Sequence, residues 1–249
     1  MGIKIIHLGG IKMIYAMSDL HGCYDKHIKM LEKINFNNDD TLYILGDIVD
    51  RGPDGIKILQ DIMQRKNVVA LMGNHDFLAH YILKIIAAPS DLYETDNFVN
   101  KYRSWIYDGG STTEKAFMKL SEEEKKKILL YLNYMPIFEE LTVGENKFHL
   151  SHTVPTKERM QNQNVLLWQE FIIGEPEYEK EYFSDKIIVT GHTPTGFIDP
   201  KFKGKIWHKN NHIAIDCGAV FGNPLGCICL DTLEEFYIEG ICQEEEENE

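Results

Sequence analysis

Side chains that commonly bind metal ions follow five apolar segments of this chain. They occur in the stretches SDLHG (18–22), GDIVDRG (46–52), GNHD (73–76), KFHLSH (147–152) and GH (191–192). Any one such residue alone is more often a turn former, a helix cap or a packed histidine. Carboxylates buried against the ends of hydrophobic strands, however, are costly unless positive charge meets them. Their recurrence at five segment ends therefore predicts a metal site.

The number and the types of these donors favour two metal ions. A single divalent ion would leave too many ligands unused. Mixed His, Asp and Asn donors suit Mn²⁺, Fe or Zn²⁺ better than an all-oxygen Ca²⁺ or Mg²⁺ site. A carboxylate that bridges two ions about 3.5–4 Å apart lets both polarise one hydroxide for in-line attack on phosphorus. The pattern therefore predicts dimetal hydrolysis of a phosphoester.

The elements that must position these residues alternate between strand and helix over the first ninety residues. Apolar runs predict strands over 12–17, 41–45 and 67–72, and amphipathic spacing predicts helices over 24–34, 56–65 and 77–86. Alternating strands and helices indicate an α/β fold with parallel neighbouring strands. Ligands of such sheets bind at the carboxyl ends of the strands. The first three polar stretches lie at those ends.

The remainder of the chain predicts a helical insertion and a second group of strands. The insertion covers about 88–135, and a capping box from Ser121 to Glu124 opens one of its helices. A hairpin over 137–142 and 147–151, a strand over 186–190 and a β-rich end follow. We therefore expect one domain over 13–240, followed by an acidic tail over 241–249.

Composition excludes several classes of protein. The 249 residues carry a net charge of −13 and only four arginines, so an extended nucleic-acid partner is not expected. Five cysteines without a CxxC pair indicate a reduced compartment. No stretch reaches the roughly 20 apolar residues that a membrane span needs. We therefore expect a cytoplasmic protein without a membrane partner.

The first twelve residues are expected to be a translated leader. Leu8-Gly9-Gly10 can be encoded by a ribosome-binding sequence, and Met13 follows two codons later. Met13 would then be the natural start. The alternative is an ordinary first strand over 3–8.

The motifs together resemble those of the calcineurin-like metallophosphoesterase superfamily. SDLHG, GDIVDRG, GNHD and GHTPT follow one another in that order, and the DRG triplet (50–52) resembles the phosphoprotein phosphatase branch in its bacterial and phage serine/threonine form. WIYDGG (105–110) is similar to a loop of those phosphatases and of symmetrical dinucleoside tetraphosphatases. IDCGAVF (215–221) resembles their closing strand. The resemblance implies a two-sheet αββα sandwich.

The resemblance also implies a role for each site residue. It assigns the first metal to Asp19 and His21, and it makes Asp47 the bridge between the two ions. The residues implied for the second metal are Asn74, which also binds substrate, His152 and His192. His149 is a less favoured alternative to His152, because the ligand of the family follows its strand directly and a proline, here Pro155, comes soon after.

Three further residues are implied to act on the substrate. His75 would be the general acid for the departing alkoxide, and Asp50 would orient its ring. Arg51 would bind the phosphate oxygens, a role that suits its planar guanidinium.

Three positions depart from the pattern of the family. Asp76 replaces the usual glutamate of the third motif, where we expect it to lie outside the metal ligands. Asp108 replaces the usual asparagine before two glycines. Glu170 stands where related bacterial proteins place a second phosphate-binding arginine. We therefore expect weak binding of simple monoesters, unless Glu170 pairs with a cation such as Arg159 or Lys157.

The sequence leaves three functions open. The first is a phosphatase acting on phosphoserine or phosphothreonine proteins or on small phosphate esters, with Mn²⁺ the expected ion and Fe or Zn²⁺ possible. The alternative is symmetrical hydrolysis of dinucleoside tetraphosphates. The third is a metal-binding partner module without turnover, which the set of His75, Asp50 and Arg51 disfavours because a scaffold needs no leaving-group acid.

Overall fold

The computed structural model describes residues 12–88, 95–162 and 167–242 and contains two five-stranded sheets. The first sheet has the order β10-β9-β1-β2-β3. Its strands are β1 (Ile14–Met17), β2 (Thr41–Ile44), β3 (Val68–Ala70), β9 (Leu225–Cys229) and β10 (Glu235–Ile238). The three N-terminal strands run parallel, and β9 pairs antiparallel with β1. Their carboxyl ends therefore meet at one edge, as the sequence predicted.

The second sheet is mixed and has the order β4-β5-β6-β8-β7. Its strands are β4 (Phe138–Val143), β5 (Asn146–Ser151), β6 (Ile187–Thr190), β7 (Trp207–Lys209) and β8 (His212–Ala214). β5, β6 and β8 run parallel to one another. The loops that follow β5 and β6 carry His152 and His192 at the same end of this sheet.

Alternation along the strands divides the interior into layers. In β1, Tyr15 and Met17 pack among residues of the helices, whereas Ala16 packs on the other side, among residues of both sheets such as Phe148 and Ile213. Successive side chains of a strand point to opposite faces, so each face of the first sheet is buried against a different partner. Two sheets packed face to face with helices outside form the predicted αββα sandwich, and the fold prediction is confirmed.

Nine α-helices occur within the described residues. Their bounds are α1 (Tyr24–Lys33), α2 (Gly55–Ile62), α3 (Asn74–Ala87), α4 (Asp96–Trp105), α5 (Ser111–Met118), α6 (Glu122–Asn133), α7 (Lys157–Gln161), α8 (Glu170–Ile173) and α9 (Thr195–Ile198). The capping box at the start of α6 is formed, because Ser121 Oγ accepts the Glu124 N–H at 3.3 Å. Within the described residues, no helix is long and apolar enough to span a membrane.

Several elements differ from the sequence prediction, among them the short helices α7, α8 and α9, which were not predicted. Helix α3 begins at Asn74 and not at Phe77, because the Asp76 carboxylate accepts the Gly73 N–H at 3.0 Å and closes the first turn. The β7–β8 hairpin was not predicted. Its turn residues Asn210 and Asn211 have φ values of 55° and 54°, which asparagine tolerates and which suit a two-residue hairpin turn.

Parts of the predicted leader and tail lie outside the described residues. The predicted leader does so apart from Lys12, and the predicted acidic tail does so apart from residues 241 and 242. The predicted helical insertion contains α4, α5 and α6, with one π-helical turn (Ile106–Gly110) between α4 and α5. That turn lies over the second polar loop, since Gly109 O accepts the Arg51 N–H at 3.0 Å.

Candidate metal centre

The loops that carry the candidate residues are built from strained backbone. Ten non-glycine residues of the described chain have positive φ, a conformation that costs about 1–3 kcal/mol and usually marks functional sites. Six of the ten are candidate site residues, namely Asp19, His21, Asp47, Asp50, Arg51 and His192. The surrounding contacts must hold these loops in place.

The first group of possible metal donors consists of His21, Asp47 and His75, whose ligand atoms all lie within 4.8 Å of one another. His21 Nδ1 is 2.9 Å from the Val49 carbonyl oxygen. Because a carbonyl only accepts, Nδ1 carries the proton and Nε2 keeps its lone pair. Nε2 lies 3.5 Å from Asp47 Oδ2. A histidine whose second nitrogen is held by a carbonyl in this way is typical of metal ligands.

The second group consists of Asp47, His152 and His192. His152 Nδ1 donates to the Leu45 carbonyl at 2.8 Å, so its Nε2 again keeps a lone pair. That lone pair faces Asn74 Oδ1 at 2.9 Å and Asp47 Oδ1 at 3.4 Å. His192 Nδ1 lies 3.0 Å from the same Nε2, so imidazole, amide and carboxylate groups converge here, a mixture that suits a transition-metal ion. The donor set therefore fits a metal ion at this position.

Buried carboxylates add to the demand for positive charge. Burial, together with the neighbouring Asp216 and Asp47, raises the pKa of Asp19 well above its ordinary value. Burial, followed by the charge of Asp47, raises the pKa of Asp216 to about 7. Asp216 was not among the predicted site residues, although it lies in the IDCGAVF stretch. Divalent ions would stabilise all three carboxylates in their ionised forms.

The two donor groups differ from the predicted ligand sets at two residues, Asp19 and His75. Asp19 belongs to neither group, and its carboxylate accepts hydrogen bonds from Ser18 Oγ and from the His192 N–H at 3.0 Å. His75, predicted as an acid, is a member of the first group. Asp19 thus joins the loop after β1 to the loop after β6.

Asp50 and His75 form a buried pair that the insertion holds. Asp50 Oδ2 accepts from His75 Nδ1 at 2.8 Å and from Trp105 Nε1 at 2.8 Å, while Thr113 Oγ1 donates to Oδ1 at 2.7 Å. Burial by itself would lower the pKa of His75, but Asp47 and the bond to Asp50 outweigh burial and raise it. The position of the Asp50 carboxylate thus depends on Trp105 and Thr113, for which no sequence pattern predicted a role.

Arg51 lies between the two histidines of the first group. Its Nη1 is 2.6 Å from His21 Nε2, and its Nη2 is 2.9 Å from His75 Nε2. The second contact requires a neutral His75 that accepts, whereas the raised pKa of His75 favours the imidazolium. Protonation of His75 would therefore break this contact, while the contacts of Arg51 with His21 and Asp108 would remain.

The sequence model described as calcineurin-like phosphoesterase matches residues 12–217. The chain belongs to the calcineurin-like phosphoesterase family. It is therefore a phosphoester hydrolase of a family that uses a dimetal centre, and the two donor groups that share Asp47 are its candidate metal ligands.

Curated relatives share a part of their length with this phosphoesterase. The symmetrical bis(5'-nucleosyl)-tetraphosphatase of Buchnera aphidicola subsp. Schizaphis graminum is 41% identical over 96 residues, which are 36% of this chain and 33% of the relative. The protein of the same name from Wigglesworthia glossinidia brevipalpis is 31% identical over 129 residues, 49% of this chain and 45% of the relative. The chain thus matches less than half the length of these two relatives.

Solved structures share the fold over nearly the whole chain. A proposed diadenosine tetraphosphatase has a TM-score of 0.65 at 16% identity, covering 93% of this chain and 95% of that structure. A serine/threonine phosphatase from Saccharomyces cerevisiae has a TM-score of 0.60 at 13% identity, and the match covers 94% of this chain and 82% of that structure. These likenesses support the fold.

Asp108 places a carboxylate at the mouth of the phosphoesterase site. Its Oδ1 lies 3.2 Å from Arg51 Nη2, and its Oδ2 lies 3.5 Å from His75 Nε2. The side chain is 57% exposed, so solvent weakens but does not remove its field. Asp108 therefore places a negative charge against the guanidinium that the resemblance assigns to phosphate binding.

Replacing Asp108 with asparagine should raise kcat/KM for phosphoesters. One exposed charge pair at contact distance is worth about 1 kcal/mol in water, so we expect roughly a fivefold increase that shrinks with added salt. Steady-state kinetics at 20 mM and 500 mM NaCl would measure it. Asp96→Asn is the matched control, since it removes an exposed charge from the same insertion. An unchanged or lower kcat/KM for Asp108→Asn would show that Asp108 assists binding.

Asp76 holds two loops of the site together. Its carboxylate accepts the backbone N–H groups of Asp47 at 2.8 Å, Ile48 at 3.0 Å and Gly73 at 3.0 Å. It belongs to neither donor group. Asp76, which replaces the usual glutamate, thus forms a buried contact between the loop after β2 and the start of α3.

His149 contacts a different set of residues from His152. Its Nδ1 lies 3.3 Å from Glu140 Oε1, and its ring stacks on Phe138 at 5.3 Å between centroids. Burial, which outweighs Glu140, lowers the pKa of His149 to about 4. His149 is in neither donor group, whereas His152 is in the second.

Glu170 is paired with Arg159. Its carboxylate oxygens accept from Arg159 Nε at 2.6 Å and from Nη2 at 2.9 Å. The neighbouring Trp168 packs against Phe77 of α3 with ring centroids 5.1 Å apart. The segment therefore contacts the helix that carries His75, and Arg159 offsets the charge that was expected to repel phosphate.

Proposed function

We propose that this phosphoesterase hydrolyses dinucleoside tetraphosphates symmetrically, giving two nucleoside diphosphates. The observation that carries the proposal is that both relatives described above are symmetrical bis(5'-nucleosyl)-tetraphosphatases. The 105–110 loop, which resembles a loop of that group, contacts the site directly, because Trp105 donates to Asp50 and Gly109 accepts from Arg51. A small phosphoester substrate suits a centre made of buried side chains.

The proposal assigns the metal ligands as follows. His21 and Asp19 hold the first ion, Asp47 is shared by both ions, and the ligands of the second ion are Asn74, His152 and His192. The shared position of Asp47 in both donor groups supports its role as the bridge. We propose Mn²⁺ as the ion, with Fe or Zn²⁺ as alternatives, because imidazole and carboxylate donors are mixed. When bound, the two ions would supply Lewis acidity and an activated water.

The other side chains act on the phosphate and on the leaving group. Arg51 donates to the non-reacting phosphate oxygens, and its planar fork suits two of them at once. His75 gives the proton on Nε2 to the departing phosphate oxygen as the P–O bond breaks. Asp50 accepts the Nδ1 proton of His75 in a hydrogen bond and keeps the ring oriented. Trp105 fixes Asp50 from the insertion.

An assay of three substrates with Mn²⁺ tests the proposal. We expect diadenosine tetraphosphate to have at least a tenfold higher kcat/KM than a phosphoserine peptide or para-nitrophenyl phosphate. Chromatography should show ADP as the nucleotide product, because symmetrical cleavage leaves two phosphates on each nucleoside. Formation of AMP with ATP, or a preference for the peptide, would overturn it.

A second candidate is a protein phosphatase of the serine/threonine type. The DRG triplet supports it because it resembles that branch, and its Arg51 lies 2.9 Å from His75 Nε2. The same assay decides between the two activities. A chain that binds metal but hydrolyses none of the three substrates would instead fit a partner module without turnover.

A further inference from the structure

A recess of about 320 Å³ adjoins the candidate metal centre. Its walls come from the loops that follow β6 and β8, which also carry His192 and Asp216. Pro194, Phe197, Cys217 and Phe221 supply apolar surface to it. Sites for small organic ligands are concave and mostly apolar, with a few polar groups at set positions. The recess has this character, and no role in phosphate chemistry accounts for it.

Two phenylalanines line this recess and remain exposed to solvent. Phe197 is 83% exposed and Phe221 is 61% exposed. Single exposed apolar residues are common on protein surfaces, but two aromatic rings on one recess beside a reaction centre form a surface that a planar ligand could cover. Aromatic rings bind nucleobases by stacking, whichever base is present.

The loop that carries Phe221 is held rigidly from below. Lys26 is fully buried, and its ammonium donates to the carbonyl oxygens of Ala219 at 2.8 Å and Asn223 at 2.7 Å. Left-handed Gly218 (φ 80°) and Gly222 (φ 83°) flank the turn. A buried charge is costly unless it is well bonded. The fold therefore holds the backbone that carries the exposed Phe221.

The same ring connects the recess to the phosphate-binding side chain. The Arg51 guanidinium carbon lies 5.3 Å from the centroid of the Phe221 ring, within the range of a cation–π contact. A ligand with phosphates at Arg51 would therefore have its adjoining part beside Phe221. Lys203 adds a positive charge to the lining of the recess, which suits an anionic ligand in a chain of net charge −13.

We propose that the recess between Phe197 and Phe221 binds one nucleobase of the substrate while its phosphates lie at Arg51 and the metal centre. The inference rests on the proposed function, because it names the part of a dinucleoside tetraphosphate that the chain recognises. The second nucleoside is not bound by this recess.

Phe197→Ala tests the proposal, with Phe197→Tyr as the variant that keeps the ring. Alanine substitution of a ring that stacks on one base lowers affinity by about 5- to 150-fold. We therefore expect kcat/KM for diadenosine tetraphosphate to fall by a factor in that range relative to kcat/KM for β-glycerophosphate. The measured quantity is the ratio of the two kcat/KM values, which Phe197→Tyr should restore. Tyr134→Ala is the control for loss of an exposed ring, since Tyr134 directly follows α6 and is 75% exposed.

The outcomes separate the recess from the proposed function. If the ratio of the two kcat/KM values is the same in Phe197→Ala and in the unmodified chain, the recess does not bind the substrate, even if diadenosine tetraphosphate is cleaved. If Phe197→Ala lowers kcat/KM for a phosphopeptide by the same factor as for diadenosine tetraphosphate, the ligand of the recess is not a nucleobase. If the unmodified chain does not cleave diadenosine tetraphosphate, calorimetry with ADP and with tripolyphosphate decides. If Phe197→Ala lowers the affinity for ADP but not that for tripolyphosphate, nucleobase binding by the recess is supported. Equal losses of affinity for both ligands would overturn it.

Discussion

Replacing Asp47 with asparagine should remove both metal ions and nearly abolish hydrolysis. Asp47 belongs to both donor groups, with one oxygen 3.5 Å from His21 Nε2 and the other 3.4 Å from His152 Nε2. An amide offers one neutral oxygen and no charge to share between two ions. Bound metal supplies several kcal/mol of transition-state stabilisation, so we expect kcat/KM to fall at least about 10³-fold. Elemental analysis after dialysis, with activity on the best substrate, measures both effects.

Two comparisons make this result specific. Asp39→Asn removes one exposed carboxylate elsewhere and should keep both ions and full activity. Asn74→Ala should weaken mainly the second ion, because Asn74 Oδ1 faces His152. If Asp47→Asn kept two ions at full occupancy, Asp47 would not be the bridge. Activity that resists a chelator in the unmodified chain would exclude a metal mechanism altogether.

The first sheet could be predicted because the first ninety residues repeat one local pattern, whereas the two-sheet sandwich was implied by the resemblance. Apolar strands followed by polar loops and amphipathic helices place the loops at the carboxyl edge of a parallel sheet. His152 and His192 follow strands of the second sheet, and the packing of the two sheets brings them close to Asp47, which precedes His152 by more than one hundred residues. The periodicity predicted which residues share the edge of the first sheet. It did not predict the distances between them.

The conformation of the loops could not be predicted in the same way. Positive φ at Asp47, Asp50 and His192 is unfavourable for these residues in isolation and persists because contacts elsewhere hold it. Asp76 supplies such contacts through three backbone N–H groups. Local propensity is no guide where tertiary structure overrides it.

Residues that support the site from a distance were also missed. Trp105 and Thr113 donate to Asp50 across 55 and 63 positions of sequence, and Asp216 joins the buried carboxylates from the far end of the chain. A tryptophan or a threonine carries no chemical signature of such a role. The signals were the WIYDGG stretch, which contains Trp105, and the IDCGAVF stretch, which contains Asp216, and both came from resemblance and not from a physical pattern.

Replacing His75 with asparagine should lower kcat by roughly 10²–10⁴-fold on an alkyl phosphate, the usual range for loss of a general acid. The loss should be smaller on diadenosine tetraphosphate. Its leaving group is a phosphate, whose second pKa is about 6, so it departs without a proton more readily than an alkoxide does. Rates on β-glycerophosphate and on diadenosine tetraphosphate, each at saturating substrate, measure the difference.

The pH profile gives an independent test of the same role. The pKa of His75 is raised, so its acidic form persists to higher pH than that of an ordinary histidine. Activity on the alkyl ester should therefore be present below this pKa and be lost as the pH rises through it. In His75→Asn that decline should disappear, because no proton remains to be lost. His80→Asn, a change in a partly exposed histidine of the same helix, should keep the decline.

Metal content decides between the two roles that the structure allows for His75. His75 is a member of the first donor group, so it could bind an ion and not supply a proton. As an acid, it can be replaced by asparagine with both ions retained and the leaving-group dependence steepened. As a ligand, its replacement should cost one ion and slow both substrates equally. Equal losses of kcat on the two substrates, together with a missing ion, would therefore make His75 a metal ligand and not the general acid. The phosphate leaving group would then depart without a proton.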